Sequence, residues 1–291
     1  MPIARTGELV TAAYQAGSGI VAFNVITLEH AEAIAAGAEA AGSPVIMQIS
    51  ENAVKFHGGR PGPISAATLA VAAQASTPVS VHFDHVEDVA LLHAAPGAGV
   101  SSVMFDASLL EYAGNLAATR AAAQWAHAHG LFLEAELGEV GGKDGAHAPG
   151  VRTDPGAAAE FVAATGVDAL AVAVGSSHAM STRTATVDFD LIERLRAVVP
   201  VPLVLHGSSG VTDEDLRTAV RAGITKINVG TLLNVAFTGQ VRGYLTADAA
   251  VSDPRHYLGP ARTAVADAVA ATLTSLRHPA VPPAAAAEAN S

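Results

Sequence analysis

The stretch VPLVLHGSSGVTDEDLRTAVRAGITKINVGT, residues 201–231, decides the fold. An apolar run, Val201–His206, stops at a glycine-rich turn; Asp213–Ala222 follows with helical spacing; a second apolar run, Thr225–Asn228, ends on another glycine turn. Parallel strands buried on both faces read as continuous apolar runs, and they need a helical crossover between them. Six similar runs come earlier, at Gly19–Asn24, Pro44–Ser50, Val79–Asp84, Ser101–Asp106, Leu131–Glu136 and Asp168–Val174. Helical spacing is read between them at Leu28–Ala41, Ala66–Ala75, Val86–Ala94, Glu111–His129, Pro155–Thr165 and Asp188–Val198, and Leu232–Leu245 completes the eighth unit. The expected fold is therefore α/β, a (β/α)8 TIM barrel, with an N-terminal accessory helix within residues 1–18 and one or two C-terminal accessory helices within Asp253–Leu276. An open, doubly wound sheet does not explain why polar residues close so many successive strands: Ser50, Asp84, Asp106, Glu136, His206 and Asn228.

Size and composition bound what such a barrel can do. With 291 residues, half of them hydrophobic, the chain is long enough for one large core, and residues 1–276 read as a single domain. Residues 277–291, rich in Pro and Ala with few bulky apolar anchors, read as a flexible tail. The formal net charge of −11 argues against a broad nucleic-acid-binding face, yet backbone amides and helix N-termini can still bind an anion locally. No apolar run approaches the roughly 20 residues needed to cross a bilayer, and the N-terminus lacks a signal core. The expectation is a cytoplasmic protein with no membrane partner. Cysteine is absent, so thiolate catalysis and sulfur-ligated metals are excluded, and any transition-metal site must use His, Asp or Glu.

The strand ends supply candidates for such a site. VHFDHV places His82, Asp84 and His85 at the end of the third strand, where Asp84 and His85 can flank one pocket only if the chain bends. His178 follows the sixth strand and His206 closes the seventh. Singly, each histidine is ordinarily a hydrogen-bonded structural residue, but His85, His178 and His206 converging on the C-terminal rim could hold a zinc-like ion. Asp106 and Glu136 end two further strands and either surround that ion or serve as a helix cap and a buried ion pair. Glu134 shares the strand face of Glu136, or faces a peripheral polar network. HGSSG at 206–210 and NVGT at 228–231 offer Gly207, Ser209, Gly230 and Thr231 for clasping a phosphate at the last two strands. The polar loop at 138–155 can carry Lys143 or Asp144 over the site. Lys226, inside the eighth strand, is either an amine nucleophile or a structural ion pair.

FDH at 83–85, EAELG at 134–138, VGSSHAM at 174–180, LVLHGSSG at 203–210 and INVGT at 227–231 together resemble the class II fructose- and tagatose-bisphosphate aldolases, in order, from about Ile20 to beyond Pro260. The resemblance implies metal-dependent, reversible cleavage of fructose 1,6-bisphosphate to dihydroxyacetone phosphate and glyceraldehyde 3-phosphate. Tagatose 1,6-bisphosphate or another ketose phosphate is the alternative, and a non-enzymatic phosphometabolite-binding barrel is a further one. It implies one Zn2+ per subunit on His85, His178 and His206, with K+ or Na+ near the phosphate loops. Asp84 matches the residue that moves the proton at the aldehyde-derived oxygen, and Asp106 and Glu136 match acidic groups near the metal. Ser50 lines the pocket, Asn228 contacts the three-carbon substrate, and Ser209 and Thr231 contact phosphate. Two positions depart from the pattern: Ala179 stands where glycine is frequent, and Lys143–Asp144 stands where Glu–Asp is frequent, leaving Asp144 to replace a glutamate base and Lys143 to contact phosphate. Phosphorylated ketoses and trioses are the implied ligands, and a homodimer or homotetramer is the implied assembly.

Overall fold

The computed structural model describes residues 3–137, 152–176 and 183–277. Its first half runs α1 (Thr6–Gln15), β1 (Ile20–Asn24), α2 (Leu28–Ala41), β2 (Val45–Ser50), α3 (Glu51–Phe56), α4 (Pro61–Gln74), β3 (Val79–Val86), α5 (Val89–Ala98) and β4 (Ser102–Phe105). It continues through α6 (Tyr112–Ala128), β5 (Phe132–Glu136), α7 (Pro155–Thr165), β6 (Ala169–Ala171), α8 (Phe189–Val198), β7 (Leu203–Leu205), α9 (Asp213–Ala222), β8 (Ile224–Val229), α10 (Thr231–Ala247) and α11 (Arg255–Leu276). The strands pair in chain order and in parallel, β8 returning to β1 through Ala22↔Asn228, so the sheet closes into the (β/α)8 barrel that the sequence predicts.

Side-chain alternation sorts the strands into two environments. Val21, Phe23, Met47, Ile49, Val81 and Phe83 point outwards and are buried beneath the helices. Each such side chain contributes about 1.5–3 kcal/mol by leaving water. The inward face is layered. At its base Ile20, Ala22 and Ile46 pack with Val10 and Ala13 of α1, which plugs the N-terminal end. Towards the other end the lining becomes polar, with Gln48, His82, Asp84, Glu134, Glu136, His206, Lys226 and Asn228 all buried. A hydrophobic barrel would not concentrate so many costly groups without partners for them.

Two elements differ from the sequence reading for physical reasons, and a third narrows it. α3 was too short to show a period; Ser50 starts it by accepting the Ala53 amide, so strand passes directly into helix. β6 is shorter than Asp168–Val174 because Ala173 and Val174 give their backbone bonds to Thr153 and Asp188 rather than to a neighbouring strand. Of the one or two helices expected within Asp253–Leu276 there is one, α11, which packs on α2 where Gly37 lets the backbones meet: a Cβ there would lie 2.6 Å from the Ala266 carbonyl oxygen.

Candidate active site

The C-terminal ends of the strands surround a cavity of about 380 Å³. The bend on which the reading of Asp84 and His85 depends is present: pairing between β3 and β4 shifts register between Phe83 and Val86, and His85 adopts φ 46°. A non-glycine residue in this left-handed region carries backbone strain of about 1–3 kcal/mol. That strain turns both side chains into one cavity, where strict alternation would have sent them to opposite faces.

Asp84 is 3 % exposed and accepts hydrogen bonds from Gln48 Nε2 at 3.2 Å and Asn228 Nδ2 at 3.3 Å. Burial opposes its charge, but the positive fields of His85, His206 and Lys226 prevail and hold its carboxyl below the usual range. It is therefore a carboxylate at neutral pH, held by two amide donors. His85 donates from Nδ1 to Asp106 Oδ2 at 2.9 Å, and Asp106 Oδ1 also accepts the Ser108 amide and hydroxyl, so Asp106 both caps a turn and orients the imidazole.

His206 is fully buried, edge-on to His85 with ring centroids 4.8 Å apart. Its Nε2 lies 3.0 Å from Glu134 Oε1 and its Nδ1 3.3 Å from Glu136 Oε2. Burial works against the imidazolium, but the two carboxylates outweigh it and raise the pKa to about 10. Glu134 thus sits at the centre of the barrel rather than in a peripheral network. Its other oxygen meets Lys226 Nζ at 2.8 Å, and Lys226 also donates to Asn228 Oδ1 at 2.8 Å. Burial opposes the Glu134 charge, but Lys226 and His206 hold its carboxyl well below the ordinary range. His82, bonded through Nδ1 to Ser102 at 2.7 Å, is neutral, its pKa lowered to about 3 by burial and by Lys226. A chain from Lys226 through Glu134 fixes the His206 ring, and a parallel contact from Lys226 fixes Asn228 beside Asp84.

Removing one partner of a fully buried ion pair leaves an uncompensated charge, at about 3–5 kcal/mol. Lys226→Met is accordingly expected to lower the unfolding free energy by about 3–5 kcal/mol in urea titrations, and a change below about 1 kcal/mol would show that the pair is not a structural anchor.

Ligand atoms of Asp84, His85 and His206 lie within 4.8 Å of one another, as do those of His85, Asp106 and Glu136. Two imidazoles among carboxylates form a nitrogen–oxygen donor set suited to a zinc-like ion. The negative field that keeps a proton on His206 also favours a divalent cation there, with release of that proton on binding. The residues present therefore fit such an ion. His178, Ala179, Lys143 and Asp144 lie outside the described residues.

The opposite part of the rim is built for an anion. Gly207, at φ 66°, turns the chain after β7 into a single 3-10 turn, Ser208–Gly210. Ser209 Oγ accepts the Leu232 amide at 3.1 Å, tying this turn to the first turn of α10. Gly207, Ser209, Gly230 and Thr231 all line the cavity, beside a helix N-terminus whose dipole favours negative charge. Ser50 also lines it, although its hydroxyl already caps α3. The sequence reading missed Gln48 and Asn24, which bond to each other beside Asp84, and Glu51, Asn52 and Lys55 on α3. Alternation from Ser50 marks Gln48 as inward-facing, and the i, i+4 spacing of Glu51 and Lys55 marks a pair.

Comparisons with known proteins agree with this geometry. The family model for class II fructose-bisphosphate aldolase matches residues 4–278. The YdjI aldolase from Escherichia coli K12 is 32 % identical, with a TM-score of 0.80, over 94 % of this chain and 97 % of its own. A Coccidioides immitis protein is 28 % identical, with a TM-score of 0.82, over 94 % and 96 % of the two chains. Fructose-bisphosphate aldolase from Campylobacter jejuni, 24 % identical, shares the fold with a TM-score of 0.78 over 94 % and 95 %.

Proposed function

The chain belongs to the class II fructose-bisphosphate aldolase family, and from that premise we propose that it cleaves a ketose 1-phosphate reversibly between C3 and C4, releasing dihydroxyacetone phosphate. Fructose 1,6-bisphosphate, giving glyceraldehyde 3-phosphate, is the substrate that the family pattern suggests first; tagatose 1,6-bisphosphate gives the same products and differs in stereochemistry at C4. The observation that carries the reading is an ionised, buried Asp84 beside His85 and His206, facing a phosphate-type clasp within one cavity.

His85 and His206, with His178, would hold a zinc-like ion, and Asp106 and Glu136 would steady its imidazoles. When bound, the ion supplies a Lewis acid for the ketose carbonyl oxygen. Ser209, Gly230 and Thr231 grip the 1-phosphate and Asn228 orients the three carbons attached to it. Asp84 then takes the proton of the C4 hydroxyl as the C3–C4 electron pair withdraws towards C2, and the aldehyde leaves. Protonation at C3 completes dihydroxyacetone phosphate, and we assign that proton to Asp144. Lys143 contacts phosphate. In synthesis the same groups move the protons in reverse.

A Schiff-base route through Lys226 is disfavoured because its ammonium is fully buried and ion-paired with Glu134, whereas an amine nucleophile needs a free lone pair and access to the carbonyl. One experiment covers these readings: incubate the metal-loaded protein with fructose and tagatose 1,6-bisphosphates and their 1-phosphates, resolve the products, and treat parallel samples with borohydride. The expected result is dihydroxyacetone phosphate from at least one substrate without a covalent adduct. A reduced adduct on Lys226 would overturn the metal mechanism, and binding without cleavage of any ketose phosphate would favour a metabolite-binding barrel.

A further inference from the structure

The reading above assigns one end of the cavity to the 1-phosphate, and the inference here rests on it, because it concerns the other end. β3 lies opposite β7 in the closed eight-stranded ring, and β2 lies next to β3. The same cavity is lined on that arc by Glu51, Asn52, Lys55 and Glu87. Glu51 is 7 % exposed and its Oε2 accepts the Glu87 and Asp88 amides at 2.8 and 2.9 Å, while Oε1 meets Lys55 Nζ at 2.7 Å. The Lys55 ammonium is therefore already matched by the carboxylate of Glu51, and Glu87 and Asp88 add to the negative field around it. One carboxylate contacts the ammonium and two more act on it through space. Beyond the Glu51–Lys55 pair a second cavity of about 250 Å³ continues between Val54, Pro61, Ala90, Leu91 and Ala94, with Asp88 on its wall.

We propose that this acidic arc reads the aldehyde half of the substrate as an uncharged polyol and discriminates against a second phosphate. A terminal phosphate dianion brought against Glu87 meets like charge, and the Lys55 ammonium that would offset it is already balanced by Glu51. Hydroxyl groups suit the same surface: Glu87 accepts from them, Asn52 both donates and accepts, and Lys55 donates. The preferred substrates are then ketose 1-phosphates with an unphosphorylated far end, and the acceptors in synthesis are unphosphorylated hydroxyaldehydes. Glu87 is the specificity-determining residue, since it lines the cavity and is exposed, whereas the Glu51 carboxylate is committed to two amides and Lys55.

The test compares kcat and KM of the zinc-loaded enzyme for fructose 1-phosphate against fructose 1,6-bisphosphate, and for the tagatose pair. Within the epimer that is cleaved, the monophosphate is expected to win by about tenfold or more in kcat/KM, chiefly through KM, and the gap is expected to narrow between about 0.02 and 0.5 M salt as the field is screened. Glu87→Gln is expected to lower KM for the bisphosphate about threefold or more with a smaller change in kcat, and Glu87→Asp to keep the wild-type discrimination. A bisphosphate preference of tenfold, or a gap that neither salt nor E87Q alters, would overturn the proposal while leaving the aldolase reading intact. Failure of every ketose phosphate to release dihydroxyacetone phosphate would instead remove the reading itself, and this inference with it.

Discussion

Asp84→Asn is expected to reduce kcat/KM for ketose phosphate cleavage by about 10²–10⁴, the usual contribution of a positioned proton-transfer group. The substitution preserves shape and removes the charge. It also creates a small local conflict, because Gln48 Nε2 and Asn228 Nδ2 both donate to Asp84, and an asparagine amide nitrogen cannot accept from either. That conflict is worth about 1–3 kcal/mol and is confined to the polar end of the barrel. The expected picture is a folded protein with near-normal metal content, slightly reduced stability and very slow turnover. Unchanged turnover would remove Asp84 from proton transfer. Loss of metal in step with loss of activity would reassign it as a ligand, which its place among the atoms clustered with His85 and His206 makes a meaningful alternative.

The reason for placing the charge at Asp84 lies in how the barrel interior is organised. Apolar side chains close its base and charged ones fill its upper half. The fully buried ion pairs answer one another, Lys226 with Glu134 and His206 with Glu134 and Glu136, while His85 is held by Asp106 and Asp84 by two amide donors. Such pairs seldom improve stability over a packed apolar core. What they provide is fixed orientation, which a proton-transfer site and a metal site both require.

Much of this was legible in the chain. The strands and helices follow from runs such as Val79–Phe83 and from spacing such as that in Asp213–Ala222, because a parallel barrel buries its strands on both faces and its helices on one. Polar residues at strand ends pointed to the rim for the same reason, since an apolar run ending on Asp, His or Asn marks where the interior stops being hydrophobic. The bend at His85 was legible only as a condition, because φ 46° at a histidine has no sequence signal. The role of Glu134 was undecidable because its partner, Lys226, is three strands away around the barrel, and only closure of the sheet brings them to 2.8 Å. The acidic arc was missed because α3 is a six-residue helix. Its Glu51 looks like a solvent-facing partner of Lys55 until the β3–α5 connection, with the Glu87 and Asp88 amides, is laid against it.

The second large effect concerns the metal. A divalent ion at the imidazoles is expected to supply several kcal/mol of charge stabilisation, and about 4 kcal/mol corresponds to roughly a thousandfold in rate. The carboxylates around His206 raise its pKa to about 10, so loading requires displacing a proton and should release it to buffer as zinc binds. The most direct measurement strips the protein with a strong chelator, verifies the metal content by elemental analysis, and follows dihydroxyacetone phosphate release before and after adding zinc back. The account predicts a fall of about 10³ or more in the stripped protein and recovery at about one zinc per chain. Full activity in protein shown to be free of metal would contradict it.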